Sequence, residues 1–139
     1  MIVLADTHAL IWWLTDPAQL SSTAQVQLDG AHKDPNGGVL VSVASRIDLH
    51  YLAKKGTFTT GQTNLLWRVT DDPALNVRAV PVTSRIVERF GDQEILTSPL
   101  TVPWDRLIVA TALEFGVPLV TKDQKIRALA PQVALTAVW

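Results

Sequence analysis

The sequence predicts an α/β fold, a mostly parallel sheet covered on both faces by helices. Short apolar runs recur along the 139 residues, IVLA at 2–5, VLV at 39–41 and PLVT at 118–121, and they are apolar at successive positions. Strands buried on both faces read that way, whereas half-exposed strands alternate. Stretches of helical period separate these runs, the order that parallel strand–helix units require. No internal repeat or low-complexity linker divides the chain, so residues 1–139 are expected to form a single domain. A chain of this length buries roughly two thirds of the surface it exposes when unfolded, and needs no disulfide or metal merely to fold.

Taken in order, Ile2 to Ala5 form the first strand and Thr7 to Leu14 a helix that Asp16-Pro17 breaks. Ser21-Ser22 cap a second helix through about Leu28, and the polar stretch from Asp29 to Gly38 is a connection. Val39 to Val41 are a buried strand. Ser42 to Lys55 are helical, closed by Gly56 with Lys54 and Lys55 at the cation-favouring end. Thr60 to about Thr70 form another helix and Val77 to Val82 a strand. Thr83 or Ser84 caps a short helix to Phe90, with Gly91 after it. Trp104 to Phe115 is a helix stopped by Gly116, Pro118 to Thr121 a strand, Asp123 to Ala130 a helix, and Leu135 to Val138 an edge strand.

Composition narrows the chemistry. With no cysteine, thiolate sites and disulfides are excluded, so a bound metal must take oxygen or imidazole donors, which favours Mg2+ or Mn2+. No stretch reaches the ~20 apolar residues of a membrane span, and no basic segment precedes the first apolar run, so the expectation is a soluble, cytoplasmic protein with no membrane partner. The 12 Lys plus Arg nearly balance the 13 Asp plus Glu, which argues against a broad nucleic-acid-coating surface but allows a local basic rim.

In open parallel sheets ligands bind at the carboxyl ends of strands. Asp6 follows the first strand, Asp123 follows PLVT after Lys122, and Asp105 stands in the first turn of a helix. Each has an ordinary explanation as a residue that satisfies helix-start N–H groups. Asp48 has none: it lies mid-helix within an apolar arc of Val43, Ala44, Ile47, Tyr51 and Leu52, where Asp is a poor helix former. The remaining acids, Asp29 and Glu114 among them, fall at breaks or on polar faces and read as solvated. Four converging carboxylates would repel one another and drive at least one towards protonation, a conflict a divalent ion removes. Such a pocket suits phosphoryl transfer to water. Caps at these helix starts point into the same crevice, so the two explanations are compatible.

MIVLADTHALIWWL, VSVASRIDLHYLAKKG and PWDRLIVATALEFGVPLVTKD, with the order of elements between them, resemble the PIN domain, in particular the VapC-type ribonuclease toxins of bacterial toxin–antitoxin pairs. The likeness spans essentially the whole chain. It implies a three-layer α/β/α sandwich, an acid cluster that binds Mg2+ or Mn2+ to cleave RNA, a cognate antitoxin that blocks the site, and a homodimer. Matched residue by residue, it makes Asp6, Asp48, Asp105 and Asp123 the catalytic and metal-binding acids, with Thr7, Ser42 and Thr121 as supporting polar positions. The second acid is usually Glu, so Asp48, one methylene shorter, is expected to reach the metal through a water or by an inward shift of its helix. An extra Asp that relatives carry before the third acid is replaced here by the Thr101-Val102-Pro103 segment.

Arg106 and Lys122, beside the third and fourth acids, are candidates to hold RNA phosphate; Lys125 and Arg127 read as helix-surface charge. His8 is either an RNA contact or a satisfied helix-start histidine, His50 lies on a polar face and His32 in a loop. Trp12 and Trp13 point about 100° apart, so one is expected against the sheet and the other at a partner surface, unless the second helix covers both. Two competing functions follow from the same residues. One is an inactive or weakened PIN-like module that binds RNA or protein, its acid site disabled at Asp48. The other, a signalling receiver, lacks both the acid pair after its first strand and the acid after RAVPV.

Overall fold

The apolar strands pair as their composition requires. The structure, a computed structural model, describes residues 1–139. Strands β1 (Ile2–Ala5), β2 (Gly38–Ser42), β3 (Val77–Val80), β4 (Leu119–Val120) and β5 (Ala137–Val138) make one sheet in the order β3-β2-β1-β4-β5, with every pairing parallel. Leu4 sits opposite Leu40 on one side and Leu119 on the other. Because side chains alternate across a sheet, Val3, Ala5, Val39, Val41, Val77 and Val120 enter one core while Leu4, Leu40, Val80 and Leu119 enter a second. Two dry faces are the reason the strand sequences do not alternate.

The helices are α1 (Thr7–Thr15), α2 (Ser22–Lys33), α3 (Ala44–Lys54), α4 (Thr60–Asp71), α5 (Ser84–Phe90), α6 (Gln93–Leu96), α7 (Pro103–Phe115) and α8 (Gln124–Leu129), with 3-10 turns at Pro17–Gln19 and Ala130–Val133. Leu10 of α1, Leu28 of α2 and Leu66 of α4 close the first core, and Ile108 of α7 and Ile126 of α8 the second, giving the expected three-layer α/β/α sandwich. Helix α3 spans both, sending Ala44 to the second core and Leu49 and Leu52 to the first. No helix is long and apolar enough to cross a membrane. Gly116 ends α7 at φ 62, a left-handed backbone that a side chain would strain.

Several boundaries differ from expectation for identifiable reasons. Helix α2 continues past Leu28 to Lys33 because Ala31 is also drawn into the core, so half of the anticipated connection is helical and His32 lies in it. Ser42 belongs to β2, opposite Val80, and α3 starts at Ala44, whose N–H donates to Ser42 Oγ (3.2 Å). Strand β3 stops at Val80 because Pro81 has no N–H for the ladder. Helix α6 was not anticipated; it is one turn, anchored by fully buried Ile95.

Candidate active site

Parallel pairing brings the ends of β1 and β4 together, and with them Asp6 and Asp123. Asp6 closes β1 and caps α1: its Oδ1 accepts from Thr7 N (2.8 Å) and its Oδ2 from Thr121 Oγ1 (2.7 Å). Thr121, fully buried just past β4, accepts in turn from Asp123 N (3.1 Å). One hydroxyl therefore links the first and fourth acids. Asp123 caps α8 with Oδ1, which takes Lys125 N (2.8 Å) and Ile126 N (3.0 Å), while its Oδ2 has no protein donor.

Asp48 is buried on α3, and Trp104 Nε1 of α7 donates to its Oδ1 (3.1 Å). The anticipated apolar arc is corrected here. Ala44, Ser45, Asp48, Leu49 and Leu52 form the buried face, whereas Val43, Ile47 and Tyr51 are exposed, because the two cores meet α3 along a different line from the one hydrophobicity marks. Asp48 thus sits in the middle of the buried face. Asp105, half-buried, lies in the first turn of α7 directly after Trp104, whose ring stacks on Tyr51 at 4.6 Å and 12°.

All four acids border one cavity of about 430 Å³. His8, Trp12, Thr57 and Lys122 complete its lining. A wider depression of about 630 Å³ beside α8 has no acidic lining residue and gathers no comparable chemistry.

The carboxylates feel one another. Burial, followed by the charges of Asp6, Asp48 and Asp123, pushes Asp105 up to about 7 from the usual 3.8, despite a place in the first turn of a helix that favours the ionised form. Burial also raises Asp6, with Asp48 adding to it, against the Thr121 hydrogen bond, the His8 charge and the Thr7 N–H. No three acidic or imidazole groups already form a chelating cage. The donor set is nonetheless all oxygen and borders an open cavity, which fits a hard divalent ion that keeps several waters. Thr7 Oγ1 and Ser45 Oγ, one beside Asp6 and the other one turn before Asp48, are buried without a hydrogen-bond partner, but neither residue lines the cavity.

Other anticipated residues divide. Lys122 is at the cavity, whereas Thr7 contributes its backbone N–H to Asp6 and Ser42 Oγ meets Ala44 N and Thr111 Oγ1 (3.4 Å), away from the lining. Arg106 is turned away: it donates to the carbonyls of Leu100 and Leu96, bracing the chain between α6 and α7. Its proximity in sequence to Asp105 does not place it in the cavity, since successive helical positions diverge by about 100°. Trp13 is covered by α2, donating to Asp29 Oδ1 (2.8 Å) and packing on His32, so Asp29 is not merely solvated. Glu114 likewise holds Arg85 and Arg89. Sequence reasoning missed Trp104, Thr57 and Trp139 near the site; only Trp104 carried a signal, its adjacency to Asp105.

The PIN domain family model matches residues 3–131. This chain belongs to the PIN-domain family. The PIN protein is also 32% identical over 126 residues to Ribonuclease VapC22 of Mycobacterium tuberculosis, an alignment covering 91% of this chain and 90% of that protein. Its fold is similar to VapBC2 from Rickettsia felis bound to a promoter DNA fragment, with TM-score 0.68 at 16% identity over 99% of this chain and 97% of that one. VapBC-1 from nontypeable Haemophilus influenzae aligns with TM-score 0.67 at 18% identity, over 99% and 96% of the two chains.

Proposed function

We propose that this PIN protein is a metal-dependent endoribonuclease, the toxin of a toxin–antitoxin pair. Convergence of Asp6, Asp48, Asp105 and Asp123 on one cavity is the observation that carries the reading. These four side chains would hold Mg2+ or Mn2+. A divalent ion there would supply a water of lowered pKa and offset charge growing on the leaving oxygen of the phosphodiester. Thr121 fixes the orientation of Asp6 while bridging it to Asp123. Asp105, pushed up to about 7 by burial and by the other acids, would be favoured in its ionised form by a cation held beside it. Lys122 at the cavity holds an RNA phosphate.

Residues 1–139 act as one domain in this reading, since strands from both ends of the sequence share the sheet. The likeness to VapBC complexes supports a protein antitoxin as partner. The homodimer that the resemblance implies belongs to the same proposal.

Cleavage of RNA by the purified protein in Mg2+ or Mn2+ and in EDTA is the test. Cleavage should require the metal and fall in Asp6→Asn by more than the roughly 10–100-fold that loss of an outer-shell partner costs. Cleavage indifferent to Asp6→Asn would overturn the assignment. The short Asp48 favours the competing reading of a binding module, for which only Asp48→Glu, not the natural protein, would cleave.

A further inference from the structure

Beside the acids, the cavity has an aromatic wall that the four-carboxylate chemistry does not use. Trp12 of α1 lines the cavity, and Trp139, following β5, lies 6.1 Å from it, centroid to centroid, with the ring planes at 60°. The indoles are therefore splayed rather than stacked on each other. Lys122 Nζ stands 5.3 Å from the Trp12 centroid and 5.9 Å from that of Trp139. His8 supports Trp12 edge-on at 5.2 Å and is itself backed, at 5.3 Å, by buried Phe58. Trp12 and Trp139 both pack one side against the first core and remain partly exposed on the other.

We infer that Trp12 and Trp139, with Lys122 between them, form a stacking subsite for one unpaired base of the RNA substrate. The inference rests on the ribonuclease reading above. An RNA approaching four carboxylates meets repulsion along its phosphates, so its affinity must come from contacts that are uncharged or cationic. An indole face offers the first: bases stack on it whatever their sequence, each stacked base contributing about tenfold or more to affinity. Lys122 offers the second: its ammonium lies over both indoles, and a base stacking on Trp12 would take its place on the ring and leave it to the phosphate of the same nucleotide. A base inside a duplex already has both faces covered by its neighbours and cannot enter without unstacking, so the subsite selects single-stranded segments beside the cleaved bond. The support from His8 and Phe58 holds Trp12 in position before RNA arrives, which limits the ordering cost of binding.

The experiment uses a single-stranded RNA that the natural protein cleaves, selected from a mixed-sequence pool, and a set of its copies each with one abasic nucleotide. One abasic position, at a fixed offset from the cleaved bond, should raise KM about tenfold for the natural protein. Trp12→Ala should raise KM on the intact RNA by a similar factor, more than it lowers kcat, and should make that abasic position silent. Trp12→Phe should restore most of the loss. Equal tolerance of every abasic position, or an unchanged KM in Trp12→Ala, would overturn the subsite while leaving the ribonuclease reading standing. So would a Trp12→Ala protein that loses its grip on an antitoxin but not on RNA, which would make the wall a protein contact. If Trp12→Ala does not fold, as judged by its melting curve, the abasic scan on the natural protein and on Trp139→Ala decides the matter. A natural protein that cleaves no RNA fails the ribonuclease reading itself, and the subsite with it.

Discussion

Asp105 and Glu114 stand at opposite ends of one helix, α7, and meet opposite surroundings. Asp105 faces Asp6, Asp48 and Asp123 and is pushed up to about 7. Glu114 takes Arg89 Nε on Oε2 (2.6 Å) and Arg85 Nε on Oε1 (2.9 Å), and its carboxyl is held below the usual value by the Arg89 hydrogen bond, aided by the charge of Arg85. The two carboxylates show how to separate an acid that staples α7 to α5 from one that the fold keeps unpaired. A structural carboxylate is given cations by its own chain. Asp105 is given more carboxylates, which the charge of Lys125 offsets only in part, an arrangement that a proton or an external cation relieves.

The largest expected effect divides this pair directly. Asp105→Asn should lower metal-dependent RNA cleavage by at least about 100-fold, while raising the melting temperature of the metal-free protein near neutral pH, because it removes a repelled charge. Glu114→Gln should do the reverse, leaving cleavage intact and lowering the melting temperature by a few degrees. Parallel loss of cleavage in both variants would erase the distinction between the two ends of α7.

Thermal melting against pH sharpens the same contrast. Without metal, Asp105 binds its proton more tightly folded, at about 7, than at its ordinary 3.8. Its favourable contribution is therefore complete below pH 3.8 and disappears as pH rises through about 7. Glu114, lowered from 4.5, contributes in the opposite sense: its stabilisation is present above pH 4.5 and is lost as pH falls through the lowered value. Mg2+ or Mn2+ should consequently raise the melting temperature more at about pH 8 than at about pH 5, and this difference should shrink in Asp105→Asn but persist in Glu114→Gln. An equal metal effect at both pH values would break the claim that Asp105 is relieved by a cation.

Smaller effects belong to the residues that orient the acids. Thr121→Val keeps the shape of the side chain and removes the hydroxyl shared by Asp6 and Asp123, so cleavage should drop about 10–100-fold. At Asp123 the cap and the proposed ligand can be pulled apart. Asn caps helices as well as Asp does, so Asp123→Asn should preserve stability and lose cleavage, whereas Asp123→Ala should also cost about 1 kcal/mol in denaturant unfolding. Full activity in Asp123→Asn would reduce Asp123 to a helix cap.

Much of the frame was legible from local pattern. Continuous apolar runs gave parallel strands, and Asp6, Thr83 and Asp123 before helices gave caps, because both signals depend on neighbours in sequence. Asp48 stood out for the same reason, as a charge where its helix wanted an apolar residue. Where the pattern failed, distant groups decided. Val43, Ile47 and Tyr51 are apolar yet exposed, since the line along which the cores meet α3 is a property of both layers and not of that helix alone. Arg106 follows Asp105 in sequence but answers to the carbonyls of Leu96 and Leu100.

By itself, then, the sequence determined the order of elements apart from α6, the two dry faces of the sheet and the identity of four candidate carboxylates, of which Asp48 alone had no local explanation, because periodicity and capping act within a few residues. Only the tertiary structure decided that Thr121 would join the first acid to the fourth, that Trp104 would hold Asp48, and that Trp12 and Trp139 would flank Lys122. Those contacts span the chain from α1 to the residue after β5. They exist because parallel pairing brings the carboxyl ends of β1 and β4, and the residues beyond β5, to the same edge of the sheet.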